Sequence, residues 1–172
     1  MAWRCRTCGE EHDGTPLSFA ADFPDNYARL SAGDRDLRAL ISSDQCIIDE
    51  KEYYIRGCLE IPLHDGDGVF LWGLWVNLWQ EDFDLISDTW EMDGRENGIG
   101  PFKGRLANSV REYPFETANL KLTVQLEPRG TRPLFFIDEP DHPFALMQQN
   151  GISLDEAHEL ASRIMHRVPA IA

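Results

Sequence analysis

A single apolar run, residues 69–79, constrains the fold more than any other part of the sequence. Alternate positions beginning at Phe70 are apolar, and the intervening positions include Trp75 and Trp79. Because side chains of a strand alternate between two faces, a strand that is apolar at both sets of positions has to be buried on both faces. A helix explains the run less well, since residues 71–76 leave it without a polar side. We therefore predict a central, doubly buried strand, with Trp79 as the tryptophan nearest the surface.

The other elements are predicted from periodicity and turn residues. Residues 33–42 have apolar side chains at helical spacing, which predicts a short helix. Ser153 and Glu156 have the spacing of a capping box, and the apolar positions after them repeat as in an amphipathic helix. Strands are expected at 46–49, 53–61, 120–126 and 134–137, a helix at 143–149, and a short helix or an acidic loop at 81–90.

The order of these elements predicts the fold class. Strands cluster in the middle of the chain and helices near its ends, which is typical of an α+β fold. We expect a mainly antiparallel sheet around the 69–79 strand, with flanking short helices and a C-terminal amphipathic helix. The chain has 172 residues and no segment that resembles a linker. Residues 1–172 are therefore expected to form a single domain, with an N-terminal knuckle at about residues 3–14 packed on it.

Composition limits the classes of partner. Thirty Asp and Glu residues oppose sixteen Lys and Arg residues, which gives a formal net charge of −14. Such a field repels phosphate backbones and anionic lipids, so we expect neither nucleic-acid nor membrane binding, and a basic protein is the partner it favours. The first residues lack an apolar signal core, and the longest apolar run has about ten residues against the ~20 of a membrane helix. A cytoplasmic location is expected.

The segment Cys5-Arg6-Thr7-Cys8-Gly9 has the clearest chemistry in the sequence. In a Cys-x-x-Cys turn two thiolates converge as in a zinc knuckle, and the glycine suits the left-handed residue that this turn tends to need. His12 is the third candidate zinc ligand, and the fourth stays open. Two alternatives are structural thiols without a metal and a redox dithiol. The redox alternative is the weakest, because only Trp3-Arg4 precede the pair, whereas a thioredoxin-type dithiol follows a complete strand.

Cys46 and Cys58 complete an even count of four cysteines. If Glu50-Lys51 forms a two-residue hairpin loop, Cys46 lies opposite Ile55 and projects from the other face of the sheet than Cys58. A three-residue loop or a bulge would put both thiols on one face. We favour small buried hydrophobic residues for both, rather than a four-cysteine metal cluster.

A second candidate site lies at residues 138–143, where three carboxylates and an imidazole gather. Such a group can bind a divalent cation or supply a general base near neutral pH. With Arg56 or Glu60 in the same pocket, Asp141 and His142 would form the site of an enzyme. The alternative is a solvated loop in which Asp141 caps the following helix. No sequence signature of a catalytic class accompanies these residues, so the balance is against an enzyme.

Several stretches spanning nearly the whole chain carry a resemblance to a known family. They are Cys5-x-x-Cys8-Gly9-x-x-His12, Ser43-Asp44-x-Cys46-x-Ile48-Asp49, residues 53–62, Trp72-Gly73-Leu74-Trp75-Val76, and Pro140-x-His142-Pro143-x-Ala145 followed by Gln148-x-x-Gly151-Ile152. In this order they resemble a bacterial family named only as domain of unknown function 2199. The resemblance implies a stand-alone cytosolic protein and supplies no activity, substrate or catalytic residue.

Two hypotheses of function are therefore in competition. The first is a small acidic binding protein with a structural zinc ion held by Cys5, Cys8 and His12, which neutralises a basic partner as immunity proteins do. The second is a metal- or histidine-dependent enzyme that uses the Asp141–His142 region.

Overall fold

The computed structural model describes residues 2–167, and within that range it has ten strands and five α-helices. The strands are β1 (Ala2–Arg4), β2 (Glu11–Asp13), β3 (Ser18–Ala20), β4 (Ala39–Ile41), β5 (Gln45–Ile48), β6 (Glu52–Pro62), β7 (Val69–Leu78), β8 (Phe102–Leu106), β9 (Lys121–Gln125) and β10 (Leu134–Ile137). The helices are α1 (Asp25–Ala28), α2 (Ala32–Arg38), α3 (Gln80–Asp88), α4 (Pro143–Asn150) and α5 (Leu154–His166). A 3₁₀ turn covers Arg95–Asn97.

Five of the strands close into a barrel, which corrects the expected sheet. Antiparallel pairs join β6 to β7, β7 to β8, β8 to β9 and β9 to β10. β10 then returns to β6 in parallel, at the pair Leu134 and Cys58. The α+β class is confirmed, but the sheet is a closed barrel of mixed orientation rather than a simple antiparallel sheet. Closure gives each of the five strands a neighbour on both sides, and β3, β5 and β4 extend the sheet beyond them.

β7 is the doubly buried strand that the apolar run predicted. One face contributes Phe70, Trp72 and Leu74 to the main core, and Trp75 is fully buried on the other face in a second cluster. β6 pairs with β7 along its whole length, and β3 and β8 share the opposite side. The strand ends at Leu78, and the next residue, Trp79, is 77% exposed.

The helix predicted over residues 33–42 is too long. α2 ends at Arg38, and Ala39 adopts an extended conformation with φ −128° and ψ 146°. Residues 39–41 form β4, which pairs antiparallel with β5, so backbone bonds to a neighbouring strand replace the last helical turn. Leu37 and Leu40, read as the buried face of a helix, are 87% and 73% exposed.

The β5–β6 hairpin has a three-residue loop rather than a two-residue loop. Ile48 pairs with Glu52, and the loop residues Asp49 and Glu50 have φ values of 54° and 53°. Cys46 consequently lies opposite Tyr54 instead of Ile55. This register puts Cys46 on the same face of the sheet as Cys58, four positions along β6 from Tyr54.

The end of β6 fixes the start of the C-terminal helix. Ile152 donates its backbone N–H to the carbonyl of Pro62 at 2.9 Å and accepts one from His64 at 3.1 Å. Ser153 and Glu156 form the predicted capping box of α5, and the apolar stripe of this helix is buried at Ala157, Leu160 and Ala161. α3 resolves the open choice at 81–90 in favour of a helix. No helix in the described range has the length and apolarity that crossing a membrane requires.

Gly57 on β6 lies directly against the buried ring of Phe135 on β10. A Cβ atom there would clash with that ring and lie 2.8 Å from the carbonyl oxygen of Pro133. We expect Gly57→Ala to lower the free energy of unfolding by about 1–3 kcal/mol through overpacking, measured by urea denaturation. Gly33→Ala in α2 is the matched control, since its Cβ would meet nothing within 4 Å. Equal stability of the two variants would contradict the packing described here.

Candidate metal centre

The loop between β1 and β2 forms a tight knuckle. Cys5 donates its backbone N–H to the carbonyl of Glu10 at 2.9 Å, and Gly9 donates its own to the carbonyl of Cys5 at 2.9 Å. Gly9 has φ +76°, the left-handed conformation that glycine adopts without strain. The backbone N–H groups of Thr7 and Cys8 turn toward the Cys5 sulfur. The local sequence thus sets the two thiols on one side of a single turn.

A fourth group, from the far end of the chain, completes the cluster. His166 in the last turn of α5 places Nε2 3.3 Å from the Cys5 Sγ, and His12 places Nε2 3.5 Å from the Cys8 Sγ. One ligand atom of each of these four residues lies within 4.8 Å of the other three. In a tetrahedral Cys₂His₂ site, neighbouring ligand atoms are roughly 3.3–3.8 Å apart. The cluster can therefore hold a metal ion after a small contraction.

The environment of Cys5 favours its ionised form. Burial alone would raise the pKa of this thiol, but hydrogen bonds from Ser162 and from the backbone of Cys8 and Thr7 outweigh it and lower the pKa to about 5. The Ser162 Oγ lies 3.0 Å from the Cys5 Sγ and 2.6 Å from the Thr7 Oγ1. When the Ser162 hydroxyl donates its hydrogen bond to the Cys5 thiolate, its oxygen accepts one from the Thr7 hydroxyl. These two hydrogen bonds orient the Cys5 sulfur, in the way that hydrogen-bond partners outside the coordination shell of a metal orient its ligands.

Contacts outside the cluster hold the β1–β2 hairpin on α5. The Arg6 guanidinium makes two hydrogen bonds to the Asp155 carboxylate, at 2.8 and 3.0 Å. The Trp3 ring stacks on His158 with ring centres 4.9 Å apart and an interplanar angle of 13°. His158 also bonds to Thr15, so it belongs to the docking surface and not to the ligand set. The hairpin is thus positioned on α5 by protein groups as well as by the cluster.

Cys46 and Cys58 lie away from the cluster and have the opposite electrostatics. Burial raises the pKa of the Cys46 thiol to about 12, with a further contribution from Glu52. Burial also raises the pKa of Cys58, and the nearby Arg132 offsets this in part. Both thiols are therefore protonated at neutral pH. Cys46 is buried, as expected of a small hydrophobic residue, whereas Cys58 is only half-buried.

The structure does not assemble the second candidate site. Both ring nitrogens of His142 are engaged: Nδ1 accepts from the backbone N–H of Phe144 at 3.1 Å, and Nε2 donates to the carbonyl of Glu116 at 3.0 Å. His142 is the N-cap of α4, so the prediction that Asp141 caps this helix is wrong. Arg56 instead donates to the carbonyls of Ser43 and Ala21.

Glu60, the other proposed partner of His142, is exposed on β6 and lines a small cavity together with Gln148. No hydrogen bond among the described residues joins Glu60 or Arg56 to His142. The imidazole thus acts as a helix cap, with both ring nitrogens hydrogen-bonded to the backbone.

Sequence reasoning missed His166 and Ser162. Spacing along the helix does not reveal His166 as a ligand, because the other histidine of α5, His158, is eight positions away and too far for one metal ion to bind both. The sequence carries no clear signal for either residue. In the structure Ser162 is 1% exposed and lies four positions before His166 on the same face of α5. A buried hydroxyl beside the apolar stripe indicates that a polar partner packs there.

A family profile described as "Uncharacterized protein conserved in bacteria (DUF2199)" matches residues 4–152. The chain belongs to this family. The match confirms the resemblance and includes Cys5, Cys8 and His12, whereas His166 lies beyond the last residue that DUF2199 matches. No curated protein and no solved structure matches the chain.

Substitution of His142 tests its structural role. We expect His142→Ala to lower the free energy of unfolding by about 1 kcal/mol, because the first turn of α4 loses its cap, and to leave the metal content unchanged. Asp141→Ala, one residue earlier and exposed, should leave the stability nearly unchanged. Urea denaturation and elemental analysis measure both effects. A stability loss confined to Asp141→Ala would restore Asp141 as the cap.

Proposed function

We propose that this member of the DUF2199 family is a zinc-binding protein in which Cys5, Cys8, His12 and His166 hold a structural Zn²⁺ ion. The observation that carries the proposal is that four ligand atoms lie within 4.8 Å of one another. They belong to residues up to 161 positions apart in the sequence. Two thiolates and two imidazoles are the donor set that Zn²⁺ takes in closed structural sites. With four protein ligands, no coordination position is left for a substrate or a catalytic water.

The ion would act as a clamp between the two ends of the described chain. It would join the β1–β2 hairpin to the last turn of α5. The first turn of α5 is fixed separately, by the capping box and by the hydrogen bond from Ile152 to the carbonyl of Pro62. A structural zinc site contributes on the order of 10 kcal/mol of apparent binding free energy. Because the barrel strands lie outside the site, metal removal is expected to release the hairpin and the end of α5 before it unfolds the barrel.

Elemental analysis of protein purified without a chelator tests the site. We expect one zinc ion per chain, lost in Cys8→Ser and strongly depleted in His166→Gln, with a lower thermal midpoint in both variants. His158→Gln is the matched control for zinc content alone, because it removes an imidazole from the same helix without removing a ligand; its thermal midpoint should fall as well, since the contacts with Trp3 and Thr15 are lost. His64→Gln, on an exposed residue, is a second control.

Cobalt substitution tests the geometry separately from the stoichiometry. Co²⁺ in the site should give the intense visible bands of tetrahedral coordination with thiolate ligands, and His166→Gln should weaken them. A chain without bound zinc, or one whose zinc content does not depend on Cys8 and His166, would contradict the proposal.

We further propose that the acidic surface binds a basic protein, as an immunity-type protein would bind a cationic toxin. Among the described residues, only seven of the 30 Asp and Glu side chains make ion pairs with Lys or Arg. The remaining carboxylates give a negative field that accelerates association with a cationic partner and suppresses binding to an anionic one.

The partner proposal predicts a steep dependence on salt. A basic protein captured on the immobilised chain should first be identified and purified. Its affinity for the chain is then measured in ~0.05 M and ~0.5 M salt, where the Debye screening lengths differ about threefold. We expect the affinity to fall at least tenfold over this range. Retention of proteins with no bias toward basic isoelectric points, or an affinity insensitive to salt, would overturn the proposal and leave the zinc site unaffected.

A further inference from the structure

A cavity of about 510 Å³ opens where β7 and β8 separate. The two strands pair only at Val76–Leu106 and Asn77–Arg105, after which β7 leads through Trp79 into α3 while β8 continues along β9. The walls of the cavity come from the end of β7, from β8, from the start of β9 and from Asp138 after β10. Its volume lies within the ~300–1,000 Å³ of small-molecule sites, and none of the four metal ligands lines it.

The lining is positively charged in a chain that is strongly acidic. Two of the three lysines of the sequence, Lys103 and Lys121, lie there together with Arg105. Lys103 is neutralised by the Asp138 carboxylate, 2.9 Å from its Nζ, and is held by the Thr123 hydroxyl at 2.6 Å. Asp138 is the one carboxylate among the lining residues. The other two cations therefore leave a net positive charge in the cavity.

Arg105 and Lys121 form a like-charged pair. They are direct partners in the antiparallel β8–β9 ladder, so their side chains leave the same face of the sheet. Within residues 2–167 neither makes an ion pair with a carboxylate. Like charges directly opposite each other destabilise a sheet. An anion bound between them would remove this repulsion and accept hydrogen bonds from both side chains.

Trp79 gives the cavity an apolar surface. Its side chain lines the cavity and is 77% exposed, although its size and apolar area normally favour burial. Leu78 and Leu122 line the cavity as well. Arg105 donates to the carbonyl of Asn119 at 3.2 Å, and neither its side chain nor that of Lys121 has a carboxylate partner within residues 2–167. A large exposed aromatic side chain beside such cations is suited to a flat apolar molecule that bears a negative charge.

We propose that this cavity binds a small aromatic anion, with the carboxylate or phosphate between Arg105 and Lys121 and the ring against Trp79. The site is independent of the zinc centre and of the acidic surface. The recognised chemistry is an anionic oxygen group on a planar ring, which an aromatic carboxylate and an aromatic phosphate ester share.

Titration with 2-naphthoate and with 2-naphthyl phosphate tests the site and distinguishes the two anions. Calorimetry measures the affinity, and ¹⁵N-resolved NMR reports whether the Trp79 indole N–H shifts. We expect binding of at least one probe, and at least tenfold weaker binding of the neutral 2-naphthamide. Lys121→Gln should weaken the affinity about tenfold and Trp79→Ala about fivefold.

Lys51→Gln is the charge-matched control, because Lys51 is an exposed lysine in the β5–β6 hairpin loop. It should leave the affinity unchanged. Lys121→Gln without ligand should keep its thermal midpoint or raise it, since it removes one of two facing cations. Absence of binding at millimolar probe, equal binding of 2-naphthamide, or equal losses in Lys121→Gln and Lys51→Gln would overturn the proposal. None of these outcomes bears on the zinc content.

Discussion

The continuous pairing of β6 with β7 is the constraint on which the other features depend. It runs from Tyr53–Leu78 to Pro62–Val69 and holds β7 between two apolar clusters that bury its two faces. One end of the pair carries Pro62, which fixes Ile152 and hence the start of α5. At 1.5 Å per residue the 13 residues of α5 carry His166 about 20 Å from that anchor to the knuckle. The position of the candidate metal ligands is therefore set by the barrel as well as by the Cys-x-x-Cys turn.

Local patterns in the sequence predicted local structure well and strand pairing poorly. The apolar run around Trp75 and the capping box at Ser153 each depend on neighbouring residues, so both could be recognised directly. Barrel closure depends on a single parallel pair, Leu134 with Cys58, and alternation of apolar residues carries no information about strand direction. The helix predicted over residues 33–42 was too long for a related reason. The position of Leu40 fits the periodicity of a helix as well as that of a strand, and pairing with β5 makes it part of a strand.

The candidate metal site likewise has one part that local spacing predicts and one part that only the fold brings together. Cys5, Cys8 and His12 lie within one turn and a short strand, where spacing alone brings them together. His166 and Ser162 reach the cluster only because α5 returns to the hairpin, and no spacing rule connects residues 161 positions apart. Asp141 and His142 show the converse. Their composition indicated acid–base chemistry, but the backbone of Phe144 and the carbonyl of Glu116 take both imidazole nitrogens.

The net charge of −14 and the cationic cavity are compatible because they act over different distances. At physiological salt the field of the whole surface decays within about 8 Å, whereas Arg105 and Lys121 would act on a bound anion at hydrogen-bond range. A polyanion would extend beyond the cleft and meet the surrounding carboxylates, so the acidic surface rejects it. A small anion can neutralise the two cations without leaving the cavity. If both proposals hold, the distribution of charge would discriminate between anions by size, and a basic protein and a small acidic ligand would use different parts of one surface.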